Sequence, residues 1–194
     1  LSVDTGGMSA PLPVVIVLAS GRGERFRAAG GEGSKLQARL GGQTVLARTL
    51  AAVQASGLPW HLEDAGHPGM GDSIAAAVRA TPDAGGWLVL PGDLPLVQPS
   101  TLRAMATVLR GALQAARPSY RGELGHPVAF ARSCFAQLSA LEGNQGAAPV
   151  LRILAAADRV AIVDTDDIGT VTDIDTPAAL RHAEALLAKG AWEA

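Results

Sequence analysis

The 194-residue chain contains a single cysteine, Cys134. One thiol can form neither an internal disulfide nor a cysteine metal cluster, which sets aside the disulfide-stapled class and fits a reducing compartment. Charge of one sign is also lacking. Sixteen Lys and Arg stand against 18 Asp and Glu, a formal net charge of −2, so the basic footprint of a nucleic-acid-binding domain is missing. No apolar run approaches the roughly 18 residues of a membrane span. No pattern of charged start, apolar stretch and small-residue cleavage site is read, and the expected location is the cytoplasm. Internal repeats and low-complexity linkers are scarce, which predicts one domain. Hydrophobic residues are plentiful, at 48%, enough for a globular domain with a sizeable core.

Residues 1–7 precede Met8 and carry no periodic pattern, so Met8 is the expected natural start. Segment 1–12 is expected to be a disordered or added N-terminus, with the domain over 13–190.

The most informative stretch is Val14 to Lys35, VVIVLASGRGERFRAAGGEGSK. A continuous branched apolar run predicts a buried parallel strand. The glycine-rich turn after it carries Arg22, Arg25 and then Lys35. Such a turn can bring backbone N–H groups and positive charge against phosphate; any strand-to-loop turn of an α/β domain would read similarly. A Walker A loop is excluded, because Ser34 precedes Lys35 and Leu36 follows it. The dinucleotide fingerprint is only half present, since Phe26 stands where its third glycine belongs.

Helical spacing over Thr44–Ser56 predicts a helix stopped by Gly57 and Pro59, and Trp60–Leu62 predicts a short strand. Gly69-Met70-Gly71-Asp72-Ser73 opens a second helix, whose first N–H groups can receive an anion or a base edge. Asp72 or Ser73 could equally be its N-cap. Trp87–Leu90 is a buried strand that runs into Pro91-Gly92-Asp93-Leu94-Pro95. A carboxylate just past a parallel strand lies where open α/β sheets bind ligands, and its hard oxygens suit Mg²⁺. The competing role for Asp93 is to cap a helix over Pro99–Leu109. Between Arg110 and Tyr120 the pattern weakens to a helix end and a turn.

Gly125-His126-Pro127-Val128 reads as a turn entering a strand, with His126 either a structural hydrogen-bonder or a functional loop residue. Cys134 is expected in a helix as a small buried hydrophobe. Gly143–Ala147 forms a turn before a helix over Ala148–Ala156, and Val160–Val163 is a late strand. Asp173 and Asp175 are spaced by two, on one side of an extended backbone, ahead of a final helix over Ala178–Ala188. Thr176 caps that helix with Pro177 in its first turn, and Asp173 is the better candidate for a purely structural carboxylate. The alternation predicts an α/β fold, a single-domain, Rossmann-like, mostly parallel sheet with helices on both faces. Its strand-end loops then gather cations, free N–H groups and carboxylates on one edge, as a Mg²⁺–triphosphate site requires.

Six segments stand in order: LASGRGERF with Lys35, GMGDS, PGDLP, GHPVAF, GNQGA and DIDTP. Together they resemble the MobA-like NTP transferases, and within them the molybdenum cofactor cytidylyltransferase branch. The resemblance runs from Val14 to Leu180. It implies a fold of the nucleotide-diphospho-sugar transferase type. The implied reaction is in-line attack of a phosphate oxygen of molybdopterin on the α-phosphorus of CTP, with release of pyrophosphate. Asp93 and Asp175 would hold Mg²⁺, while Arg25 and Lys35 would neutralise the triphosphate, and Arg22 would stay exposed. Leu18, Ala19, Ser20, Gly21 and Gly23, with Gly71, Asp72 and Ser73, would cradle base and ribose, and His126 would face the acceptor. The molybdoenzyme or its maturation chaperone is the implied recipient of the product.

The chain departs from the family pattern at four points. Ser20 replaces the Ala of the cytidylyl branch and the Gly of the guanylyl branch. The loop from Arg25 to Lys35 is longer and richer in Gly. Asn144 and Ala148 replace the usual Asp and Arg. Gly57–Gly69 is short for the strand, helix and strand usual there. Guanylyl or other nucleotidyl transfer, and a non-catalytic nucleotide- or cofactor-binding role, stay open at this point.

Overall fold

The computed structural model describes residues 11–21, 23–109 and 112–190. Met8, the segment 1–10, Arg22 and Arg110 lie outside the described residues.

The buried run after Pro13 forms β1 (Val14–Leu18). A short helix α1 (Glu24–Ala28) and the small antiparallel pair β2 (Arg39–Leu40) and β3 (Gln43–Thr44) follow, leading into α2 (Val45–Ser56). The Thr44 hydroxyl accepts from the Ala47 N–H and so caps α2, and Gly57 ends it in a left-handed turn. Next come β4 (Trp60–Glu63), α3 (Met70–Ala80), β5 (Gly86–Pro91) and α4 (Pro99–Thr107). Then β6 (Ala115–Tyr120), β7 (Glu123–Leu124), β8 (Val128–Ala131), α5 (Phe135–Ser139), α6 (Ala148–Ala156), β9 (Val160–Asp164) and α7 (Pro177–Ala188) complete the chain. Cys134 lies buried in a 3₁₀ turn just before α5, and burial pushes its thiol pKa up.

β4, β1 and β5 are parallel neighbours, and β6 and β9 are a second parallel pair. Between them run β8 and β7, antiparallel to β5 and β6. β7 and β8 behave as one strand broken at Gly125-His126-Pro127, because the pairing register on β6 slips by two residues across the break. The sheet is thus mostly parallel with an antiparallel insert. The expected helix end and turn before Tyr120 is instead the inner strand β6. Pro118 argues against a strand there. It is tolerated because its carbonyl still accepts from the Gly125 N–H beside the break.

The alternating side chains of β1 and β5 split between two apolar layers. Ile16, Trp87 and Val89 pack with α3, α5 and α6, whereas Val15, Val17, Leu88 and Leu90 pack with α2 and α4. A third cluster joins Phe26 and Leu36 of the long loop to Leu96, Ile174 and Ala183. That cluster fastens the loop after β1 to the segment before α7, and it fixes where Lys35 and Asp175 stand. Between Gly57 and Gly69 the chain makes β4 alone, with β1 as its strand partner, and then enters α3 directly.

The cap of α3 is Gly69 and not Asp72 or Ser73. Gly71 donates its N–H to the Gly143 carbonyl at 2.7 Å, and a Cβ on Gly71 would come within 2.6 Å of the Glu142 carbonyl oxygen. Asp72 closes the same clasp by accepting from the Gly143 N–H at 2.9 Å. The glycine is needed for close approach of two backbones. Gly71→Ala is therefore expected to cost about 1–3 kcal/mol through overpacking. Thermal unfolding of the variant checks this, and an unchanged melting temperature would contradict it.

Candidate active site

The C-terminal ends of β1 and β5 and the approach to α7 border a cleft of about 440 Å³, a volume ordinary for a small-molecule site. Leu18, Ser20, Gly21 and Gly23 line one side, and Arg25 and Lys35 reach in from α1 and the turn after it. Asp93 and Asp175 form the floor opposite.

Lys35 lies at the centre. Its ammonium donates to Asp93 Oδ2 and to Asp175 Oδ1, each at 2.5 Å. Arg25 pairs with the second oxygen of Asp175 at 2.6 Å, its own side chain largely in solvent. Burial pulls the Lys35 pKa down, but the two carboxylates outweigh it and hold the ammonium above its ordinary value. Burial pushes the Asp175 carboxyl up, and its bonds to Lys35 and the nearby Arg25 more than reverse that, leaving it below the ordinary carboxylate range. Asp173 is hydrogen-bonded to Asp175, and partial burial and the Asp175 charge raise its pKa. It stands within the acidic cluster and not apart from it.

Asp93 is not a helix cap. α4 starts after Gln98 without a side-chain cap, and Asp167 instead caps the 3₁₀ turn Ile168–Thr170, accepting from the Gly169 N–H at 2.8 Å and also from the Gln98 N–H at 2.8 Å. Asp93 Oδ1 is buried with no hydrogen-bond partner, which leaves a hard oxygen available to a cation. Among the described residues no group of three acidic, His or Cys side chains could hold a metal by itself. Two carboxylates with substrate phosphates completing the shell is the usual arrangement for Mg²⁺, so the donor set fits that ion.

Of the predicted cradle, Ser20 and Ser73 meet in the cleft, hydroxyl to hydroxyl at 3.0 Å. Ala19 donates its N–H to Glu63, and Leu18 receives the Gly92 N–H, so this backbone is tied to both neighbouring strands. Gly71 and Asp72 are not among the cleft-lining residues, which include their neighbours Gly69 and Met70. His126 also lies outside the cleft, in the break between β7 and β8. Burial, and secondly the Arg117 charge, hold its pKa below the ordinary value, so it is neutral near pH 7. Sequence reasoning passed over His67 and Pro68 and read Asn144 only as a departure from the family pattern; all three line the mouth. Pro68 directly precedes the helix-opening glycine and Asn144 lies in the turn before α6; both positions were legible as loops, but not as cleft walls.

The shifts of Lys35 and Asp175 fix a pH window. The Asp175 contribution is present above its unfolded value of about 3.9 and is lost as pH falls through its lower folded value. The Lys35 contribution is present below about 10.4 and is lost as pH rises through its higher folded value. Lys35→Met is expected to flatten both limbs of the profile, because the titrating ammonium is gone and the Asp175 carboxyl loses the main cation that holds it low. Melting temperature against pH, for both proteins, reads this directly; superimposable profiles would contradict it.

Comparison with known proteins agrees with this geometry. PucB, a purine catabolism protein of Bacillus subtilis strain 168, is 29% identical over 159 residues, covering 73% of this chain and 75% of PucB. Rv0371c of Mycobacterium tuberculosis H37Rv superposes with a TM-score of 0.73 at 24% identity, over 92% of this chain and 100% of its own. A manganese complex of Rv0371c superposes with a TM-score of 0.70 at 23% identity, over 91% of this chain and 100% of its own. The nucleotidyl transferase Mth528 of Methanothermobacter gives a TM-score of 0.74 at 22% identity, over 92% and 99% of the two chains. These superpositions establish the α/β nucleotidyltransferase-like fold. The MobA-like NTP transferase domain matches residues 50–160, more than half of the sequence, and the chain belongs to that family.

Proposed function

We propose that the protein transfers CMP from CTP to the terminal phosphate of a molybdopterin-type cofactor, releasing pyrophosphate, with Mg²⁺ held by Asp93 and Asp175. Nucleotidyl transfer itself is the activity of the family. The observation that supports metal-assisted transfer at this site is the sharing of Lys35 between Asp93 and Asp175.

Two cations, Lys35 and Arg25, face two carboxylates that neutralise them. Without a further cation the cleft therefore has little net positive charge to offer a triphosphate. Asp93 and Asp175 would hold a divalent cation, which when bound would supply positive charge to the phosphate oxygens. Lys35 and Arg25 would be the residues to face the β- and γ-phosphates and to stabilise the charge that gathers on departing pyrophosphate. The acceptor phosphate oxygen forms its bond to the α-phosphorus as the bond to the pyrophosphate oxygen breaks. The protein's part is to hold the two in line. Manganese bound to Rv0371c supports a divalent cation in this fold.

For the base, the Ser20–Ser73 hydroxyl pair fills space that a Gly at position 20 would leave open, which favours the smaller pyrimidine ring. The acceptor rests on the six-segment resemblance to the cytidylyl branch, as does delivery of the product to a molybdoenzyme or its chaperone. A cytoplasmic setting accords with the buried free Cys134. Among the described residues no helix is long and apolar enough to cross a membrane.

Thermal unfolding with CTP, GTP, ATP and UTP, each with and without Mg²⁺, tests the reading. CTP with Mg²⁺ at 100 times its dissociation constant should stabilise the fold by roughly 2.7 kcal/mol, and CTP alone far less. Selectivity for GTP would shift the assignment to guanylyl transfer, and no shift with any nucleotide would support a non-catalytic role. In turnover with molybdopterin, Asp93→Asn should lose at least about a hundredfold in rate while keeping its melting temperature near the parent's. Undiminished turnover at saturating Mg²⁺ would remove Asp93 from the metal site.

A further inference from the structure

We infer that Arg117, together with His126, forms a binding site for the phosphate group of the acceptor, beside the nucleotide cleft and separate from it; this rests on the nucleotidyl-transfer reading above.

The inference begins with strand order. At the C-terminal edge of the sheet the nucleotide loop follows β1, and Asp93 follows β5. The β7–β8 break with His126 comes next, and β6 with Arg117 lies beyond it. Val89 of β5 pairs with Val128, which sets His126 alongside the end of β5, on the approach to Asp93. On the other flank, Ala116 pairs with Ala129 and Ser119 with Leu124, so Arg117 faces the break itself. Gly125 fixes the break by packing on Thr170: a Cβ there would fall 2.4 Å from the Thr170 carbonyl oxygen, and His126 donates its N–H to that same oxygen. Asp93, His126 and Arg117 therefore form a row across three neighbouring strands, on the side of Asp93 away from the nucleotide loop.

The row has unmet chemistry. Arg117 Nε is buried without a hydrogen-bond partner, and among the described residues no carboxylate lies within ion-pairing distance of its guanidinium. His126 Nδ1 is likewise buried and unpartnered. A half-buried guanidinium with no counter-ion is costly unless an anion arrives. Its planar fork matches phosphate, and a neutral imidazole beside it can add a hydrogen bond without competing charge. A phosphate there would turn a terminal oxygen, the nucleophile of the proposed transfer, toward Asp93's side of the row and its ester oxygen away from it. The reaction needs an anionic acceptor at that place, and the chain leaves a cation there without a protein partner.

The test uses inorganic phosphate as probe, read by the ring signals of His126 in NMR of the full chain. Phosphate is expected to move those signals saturably in the parent and in Lys35→Ala, because the triphosphate subsite is separate. Arg117→Met should weaken the response at least about tenfold, the scale of one charged hydrogen bond, while Arg117→Lys retains part of it. A purely structural Arg117 would leave phosphate affinity equal in Arg117→Met and the parent, and that result overturns the inference. It is also overturned if phosphate leaves His126 unmoved in the parent. The melting shift given by CTP with Mg²⁺ should be the same in parent, Arg117→Met and Arg117→Lys. Loss of that shift in the parent would count against the nucleotidyl-transfer reading and not against the phosphate site.

Discussion

One ammonium group joins three segments that are far apart in the chain. Lys35 lies in the turn after α1, Asp93 follows β5, and Asp175 precedes α7, and the two carboxylates meet on the same nitrogen. Attraction alone does not hold such a cluster, because removing charges from water offsets much of the Coulomb gain. The positions are set by apolar packing. Phe26 and Leu36 flank Lys35 in sequence, Ile174 adjoins Asp175, and all three side chains are buried in one cluster with Leu96 and Ala183. The hydrophobic contacts deliver the charges to one place, and the charges are then available for chemistry.

The cluster is balanced without substrate, which under the proposed function would couple cation and nucleotide binding. A lysine between two carboxylates keeps the acidic pair from repelling and keeps its own charge masked. The same lysine is the group best placed to meet phosphate once another cation takes over the carboxylates. On that reading, binding of either partner alone would be opposed by a broken ion pair, and binding of both together would restore the balance. This is a physical reason for a nucleotidyltransferase to discriminate against nucleotide without metal.

Much of this was legible in the sequence, because parallel sheets gather strand-end loops on one edge. The apolar run at Val14–Leu18 with Lys35 beyond it, and the Pro91–Pro95 loop with Asp93, sufficed to place both in one site. Thr176 and Pro177 located the start of α7 and hence Asp175. Less was legible where the signal is tertiary. β6 was hidden because Ala115 and Ala116 do not alternate with polar residues and Pro118 reads as a breaker, although buried inner strands need no alternation. Arg117 sits in that same strand and was passed over with it. The clasp between Gly71, Asp72 and Gly143 was also invisible, since the chemistry that suits those residues to a ligand equally suits them to another loop.

The central claim is that Lys35 leaves the carboxylates when metal and nucleotide arrive. The most direct measurement is a crystal structure with CTP and Mn²⁺, using anomalous scattering to locate the metal. The account predicts Mn²⁺ between Asp93 and Asp175, with the Lys35 ammonium on a phosphate oxygen. Lys35 still bridging the two carboxylates beside a bound, metal-complexed nucleotide would contradict it.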